Sequence, residues 1–94
     1  MELDNHNIVS IPVSCNGSAV VAEVGFNPRK VEVVQNGGYC ATAYNGVSNA
    51  LKFGVSGAAL TSGVVTFNGD NTVTLGTDAD LNVSGAVTTL LCYK

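Results

Sequence analysis

Short runs in which β-branched and other apolar residues alternate with polar ones, each ended by a glycine-centred turn, constrain this chain more than any other feature. Asn-Gly pairs stand at positions 16, 36, 45 and 68. Asn and Gly both accept positive φ, which the tight turn of a two-residue β-hairpin requires. Between these pairs the apolar spacing is two, the period of a half-buried strand, and the runs are too short for helices. Val is the commonest residue, and its branched Cβ suits a pleated surface better than a helix. The chain therefore reads as all-β: one small β-sandwich or jelly-roll-like barrel of about seven or eight short antiparallel strands.

Alternation places the strands. Residues 7–14 set Val9, Ile11 and Val13 on one face. Pro12 points outward in that register and has no N–H to give to a ladder, so this strand belongs at a sheet edge. Residues 18–25 form the second strand, and the break Gly25-Phe26-Asn27-Pro28 leads into a third over 30–35. Asn36-Gly37-Gly38 turns that strand into a fourth, Tyr39 to Tyr44. The stretch 47–62 is ambiguous, with Asn49 to Phe53 readable as a short strand or as one helical turn. Residues 63–67 and 72–75 flank a second hairpin turn at 68–71, and 86–93 form the last strand. Residues 1–94 make one domain, with 1–7 read as an extended N-terminal arm.

Size and charge narrow the function. Ninety-four residues allow one domain with a thin core, built here without Trp and with only three Phe. Only 12% of residues are charged, against about 25% in an average soluble domain. The net charge is −3 and the only basic residues are Arg29, Lys30, Lys52 and Lys94. Nucleic-acid binders draw their affinity from clustered Lys and Arg, so no nucleic-acid partner is expected. No apolar run approaches the roughly 18 residues of a membrane-spanning helix, and no membrane partner is expected. The start, Met1 to His6, lacks the basic and apolar regions of a signal peptide, which points to synthesis in a reducing cytoplasm.

Candidate chemistry is sparse. Cys15, Cys40 and Cys92 have no CxxC spacing for structural zinc. They read as free thiols serving as small buried hydrophobes. A catalytic cysteine lacks a partner base, because the only histidine is His6 in the arm. Asp78, Asp80 and Asn82 have the oxygen spacing that begins an EF-hand loop, but Val83 and Thr89 stand where that loop needs Gly and Glu. Asp78 and Asn82 are expected to hold nearby backbone amides as Asx turns; a looser calcium site including Asp70 is the alternative. Asp70, Asp78 and Asp80 lack the walled cleft that paired acids need to cleave glycosides. Tyr39 and Tyr44 are five positions apart and so face opposite ways; a shared sugar platform is not expected, and most aromatic rings are expected in the core. No enzyme activity and no cofactor are expected.

Two segments resemble stretches of small tailed-bacteriophage virion proteins. One is Gly25-Phe26-Asn27-Pro28 running into the alternating strand Arg29 to Asn36. The other is Thr74 to Gly85, with its Gly76-Thr77-Asp78 to Asn82 and Gly85 loop, which leads into a closing strand over 87–93; together they cover about a third of the chain. The chain departs from that pattern where Leu90, Leu91 and Cys92 replace the more usual aromatics. The resemblance implies a capsid decoration (cement) protein on the outer head surface, with the major capsid protein as partner and a trimer or dimer as its own assembly. Virion localisation would follow. The alternative it leaves is a carbohydrate- or receptor-binding jelly-roll domain of a tail or fibre protein. The interface elements expected are the arm and the edge strand, through Met1, Glu2, Leu3, Asp4, Ile8 and Pro12.

Overall fold

The computed structural model describes residues 7–54 and 57–94. They form nine strands, β1 (Ile8–Ser14), β2 (Val20–Glu23), β3 (Lys30–Gln35), β4 (Tyr39–Tyr44), β5 (Asn49–Gly54), β6 (Gly57–Ser62), β7 (Val65–Phe67), β8 (Thr72–Leu75) and β9 (Val87–Tyr93). All pairings are antiparallel. They build a six-stranded sheet in the order β1-β9-β3-β4-β5-β6 and a three-stranded sheet in the order β2-β8-β7. The two sheets stay separate, so the molecule is a sandwich and not a closed barrel. The strand count exceeds the seven or eight read from the sequence because the ambiguous stretch 47–62 holds two strands. β5 and β6 pair one-to-one from Asn49↔Ser62 to Gly54↔Gly57, and β5 also pairs with β4. Leu51 and Phe53 alternate with Ala50 and Lys52 across the pleat, and the ladder on both sides of β5 overrides any local helical turn.

β1 lies at one edge of the large sheet, as Pro12 requires. Its Val13 is buried and faces the core together with Val31, Val33, Ala41, Ala43, Leu90 and Cys92 of the neighbouring strands. Ala22 of β2 and Val73 and Leu75 of β8 supply the opposite layer, and Leu81 and Val64 close the core from loops. Cover is lost toward β6: in the inward register row Ile11–Leu90–Val33–Ala41–Lys52–Ala59, the residues from Leu90 to Ala41 are buried, but Ala59 is exposed.

The loop after β8 is pinned at three points. At Gly76 a Cβ would lie 1.8 Å from the Gly63 carbonyl oxygen, and the Gly76 N–H donates to the Val64 carbonyl at 2.8 Å. Only glycine tolerates so close a backbone approach. Thr88, fully buried, donates its hydroxyl to the Leu81 carbonyl at 2.6 Å and accepts from the Cys15 thiol. Asn82, also buried, uses its whole amide: Oδ1 accepts from the Gly17 N–H at 3.0 Å, and Nδ2 donates to the carbonyls of Ser18 at 2.7 Å and Gly76 at 2.9 Å.

Those contacts correct one expectation. Asn82 does not make a local Asx turn; it ties its loop to the β1–β2 turn, more than sixty residues away. Asp78 does behave as expected, its Oδ1 accepting from the Asp80 N–H at 2.9 Å. Cys40 is a second correction. Cys15 and Cys92 are buried, but Cys40 is exposed, because its β4 neighbours Ala41 and Ala43 take the inward positions. Nor do the aromatics fill the core: Tyr44 and Phe53 are exposed, and Phe26, Tyr39 and Phe67 pack against the core only in part.

Candidate functional site

Inward alternation on six strands necessarily presents the intervening residues on one outer face, and here that face is unusually apolar. Register links Pro12, Thr89, Val34, Cys40, Phe53 and Ala58 into one row across all six strands. A parallel row runs Ser10, Leu91, Glu32, Thr42, Leu51 and Leu60, and a third holds Ile8, Tyr93, Lys30 and Tyr44. Val87 lies beyond them beside Ser14. Ile8, Val34, Tyr44, Leu51, Phe53, Leu60 and Val87 are all exposed, from 39% for Leu51 to 71% for Leu60. Val34, Cys40, Phe53 and Ala58 are successive register neighbours, with Leu51 and Leu60 in the adjoining row, and a cluster of this kind marks an interaction surface more often than single scattered hydrophobes do.

The only charges in these rows are Lys30 and Glu32, and they answer one another. Lys30 Nζ lies 3.7 Å from Glu32 Oε2 and 4.3 Å from the Tyr93 ring centroid. The Tyr93 hydroxyl donates to Glu32 Oε1 at 2.6 Å, and that bond to a carboxylate holds the phenol above its ordinary pKa. A neutralised pair of this kind adds little net charge to the face it sits on.

A different arrangement occupies the inward side beyond the core. Lys52 Nζ donates to both oxygens of Asp78, at 2.9 and 3.0 Å, and to Asp80 Oδ2 at 2.7 Å. Hydrogen bonds to Asp80 first, and then to Asp78, raise the Lys52 pKa above its ordinary value. The ammonium thus takes the place between Asp78 and Asp80 that a cation would need. Among the described residues no three His, Cys, Asp or Glu side chains gather to hold a metal. Asp70 is in another turn, accepting from the Thr72 hydroxyl. Tyr39 lies over Gly54 and beside Lys52. A shallow recess of about 230 Å³ opens there, also lined by Gly57, Ala59, Thr61 and Asp80. Tyr39 belongs to this side and Tyr44 to the outer face, as their odd spacing requires.

Of the expected interface residues, Ile8 and Pro12 are exposed on β1 and belong to the outer face. Met1, Glu2, Leu3 and Asp4 lie outside the described residues, as does His6. Sequence reading missed Val34, Leu51, Phe53, Leu60 and Val87. Their signal was present as same-parity apolar positions on β3, β5, β6 and β9, but which parity faces outward depends on where the second sheet sits. Compared with models of known protein families, with curated proteins and with solved structures, the chain matches none.

Proposed function

We propose that this chain is a non-enzymatic virion structural protein of a tailed bacteriophage: a capsid decoration protein that binds the major capsid protein on the outer head surface and stabilises the head. The observation that carries the reading is the exposed apolar outer face of the six-stranded sheet. Burying it removes aliphatic and aromatic surface from water at about 25 cal/mol per Å², and the only charges in its rows that must be desolvated with it are the paired Lys30 and Glu32. The low overall charge and the resemblance of residues 25–36 and 74–93 to virion proteins support the same reading. The test is to add the purified chain to expanded heads of the parent phage that lack it. Saturable binding and increased resistance of the heads to heat are expected. Val34→Lys and Phe53→Lys, both at exposed positions, should each weaken binding at least tenfold without altering the β-sheet circular dichroism spectrum. Failure to bind, or binding indifferent to both variants, overturns the reading.

A second reading, a carbohydrate- or receptor-binding domain of a tail or fibre protein, takes support from the recess beside Tyr39, where an aromatic ring adjoins Lys52 and Asp80. Glycan binding lost on Tyr39→Ala would favour it over decoration.

A further inference from the structure

We infer that β6 is a self-association edge, pairing antiparallel with β6 of a second copy about a two-fold axis centred on Leu60. The four sheet edges of the sandwich are not alike. β1 carries Pro12, β2 carries the charged Glu23, and β7 is only three residues long. Proline, charge and shortness are the devices by which natural sheets keep their edges from pairing. β6 has none of them. Its six residues, Gly57-Ala58-Ala59-Leu60-Thr61-Ser62, include no charge and no proline, and they pair with β5 without a bulge. Every residue of the strand except Thr61 is exposed. One side of its backbone bonds to β5, and the other presents its donors and acceptors outward.

A second copy is the occupant that this edge fits. Antiparallel pairing of a strand with itself satisfies the backbone groups of both copies by one symmetry operation. An uncharged strand meets its own copy with no like-charge penalty, whereas net charge −3 on each chain would oppose association through most other surfaces. Keeping the outer faces of the two sheets continuous requires directly opposed residues of the same parity. Centring the axis on Leu60 meets that condition: Leu60 faces Leu60, Ala59 faces Thr61, and Ala58 faces Ser62. Leu60, at 71% the most exposed large apolar side chain among the described residues, then packs against its twin, flanked by the small side chains of Ala58 and Ser62. The row ending Leu51–Leu60 continues across the axis into the partner's sheet, giving one twelve-stranded sheet whose apolar face is doubled. Contact through one strand falls at or below the roughly 1,200 Å² of small specific interfaces, so the dimer expected is a weak one. A capsid lattice that holds two copies side by side would complete it.

The inference deepens the decoration reading and rests on it for its purpose, yet it is measured on the isolated chain with no head present. Sedimentation equilibrium across micromolar to millimolar concentration should show a monomer–dimer equilibrium. Leu60→Lys and Ala58→Lys should each weaken dimerisation at least tenfold, with an unchanged far-ultraviolet spectrum reporting the intact monomer. Ile8→Lys, on the opposite edge strand, should leave the equilibrium unchanged. With Cys40→Ser as background, Leu60→Cys should form an intermolecular disulfide under mild oxidation, since directly opposed Cβ atoms lie about 4.5–5.5 Å apart. A chain that stays monomeric throughout the range overturns the inference, as does a dimer that Leu60→Lys leaves intact or that Ile8→Lys dissolves. A dimer with these properties that fails to bind heads leaves the inference standing and defeats the decoration reading; a monomer that binds heads does the reverse.

Discussion

Replacing Asn82 with Ala is expected to be among the most damaging single changes in the molecule. The side chain is 3% exposed and makes three hydrogen bonds, one to the Gly17 N–H and two to the Ser18 and Gly76 carbonyls. Truncation strands one donor and two acceptors in a partly buried loop junction. At a net of about 1 kcal/mol per lost bond, the loss comes to about 3 kcal/mol. A small domain is stable by only about 5–15 kcal/mol, so this is a large fraction of the total. For a chain of this length it corresponds to a fall in Tm of about 12–24 °C. Urea unfolding followed by far-ultraviolet circular dichroism should show a lowered midpoint with an unchanged slope. Asn82→Asp sharpens the test, because a carboxylate oxygen would replace Nδ2 and face both carbonyls. Repulsion from them raises the folded-state pKa of the new carboxyl above its unfolded value of about 3.9. The folded state then binds the extra proton, so stability is greatest below that value and falls as pH rises through the folded pKa. Asn82→Asp should therefore be less stable than Asn82→Ala at pH 7 and regain stability on acidification. A loss below about 1 kcal/mol for Asn82→Ala, or an Asp variant with no such pH dependence, would show that the clamp does not hold the loops together.

Three further outcomes are expected. Gly76→Ala drives a Cβ into the Gly63 carbonyl and should cost about 3 kcal/mol or more, measured by the same unfolding titration, because backbone must move on both sides. Under native conditions at mild alkaline pH, a maleimide should modify Cys40 quickly and Cys15 and Cys92 only at the rate of unfolding, as intact-mass spectrometry would resolve. Burial pushes the Cys92 thiol up from 9.0 to about 11. The folded state therefore holds that proton longer than the unfolded chain, and stability should fall as pH rises from about 9 to about 11. The effect is worth about 2–3 kcal/mol, and Cys92→Ala should abolish that part of the alkaline slope.

Local pattern made most strands legible. β3 and β4 fall where alternation and the Asn36-Gly37-Gly38 turn placed them, but the loop is three residues long and its positive φ is carried by Gly38, not by the Asn36-Gly37 pair that a two-residue hairpin would use. Pro12 marked β1 as an edge strand for an equally local reason, its missing N–H. The β5–β6 hairpin was harder to read, since Asn49 to Phe53 carries no strong propensity and takes its conformation from ladders on both sides. Asn82 was misread for a related reason. Nothing near it in sequence distinguishes an Asn that caps its own loop from one that reaches a turn far away along the chain.

The sequence by itself determined a small, weakly charged all-β chain with its turns at glycine-centred pairs and an edge strand at Pro12. It also determined that two sets of side chains alternate along each strand, because the period of a strand is a property of the backbone. On β4, β5 and β6 only the tertiary structure decided which set faces water. The three-stranded sheet covers one side of the six-stranded sheet and stops short of β6, so Val33 and Ala41 are buried while Cys40, Phe53 and Leu60 are exposed. Burial is a relation between distant segments: on β1 and β3 the polar and proline positions Ser10, Pro12, Lys30 and Glu32 mark the outward set locally, but on β5 and β6 Leu51, Phe53 and Leu60 face water while Lys52 lies on the inward side, and only the position of the second sheet decides that.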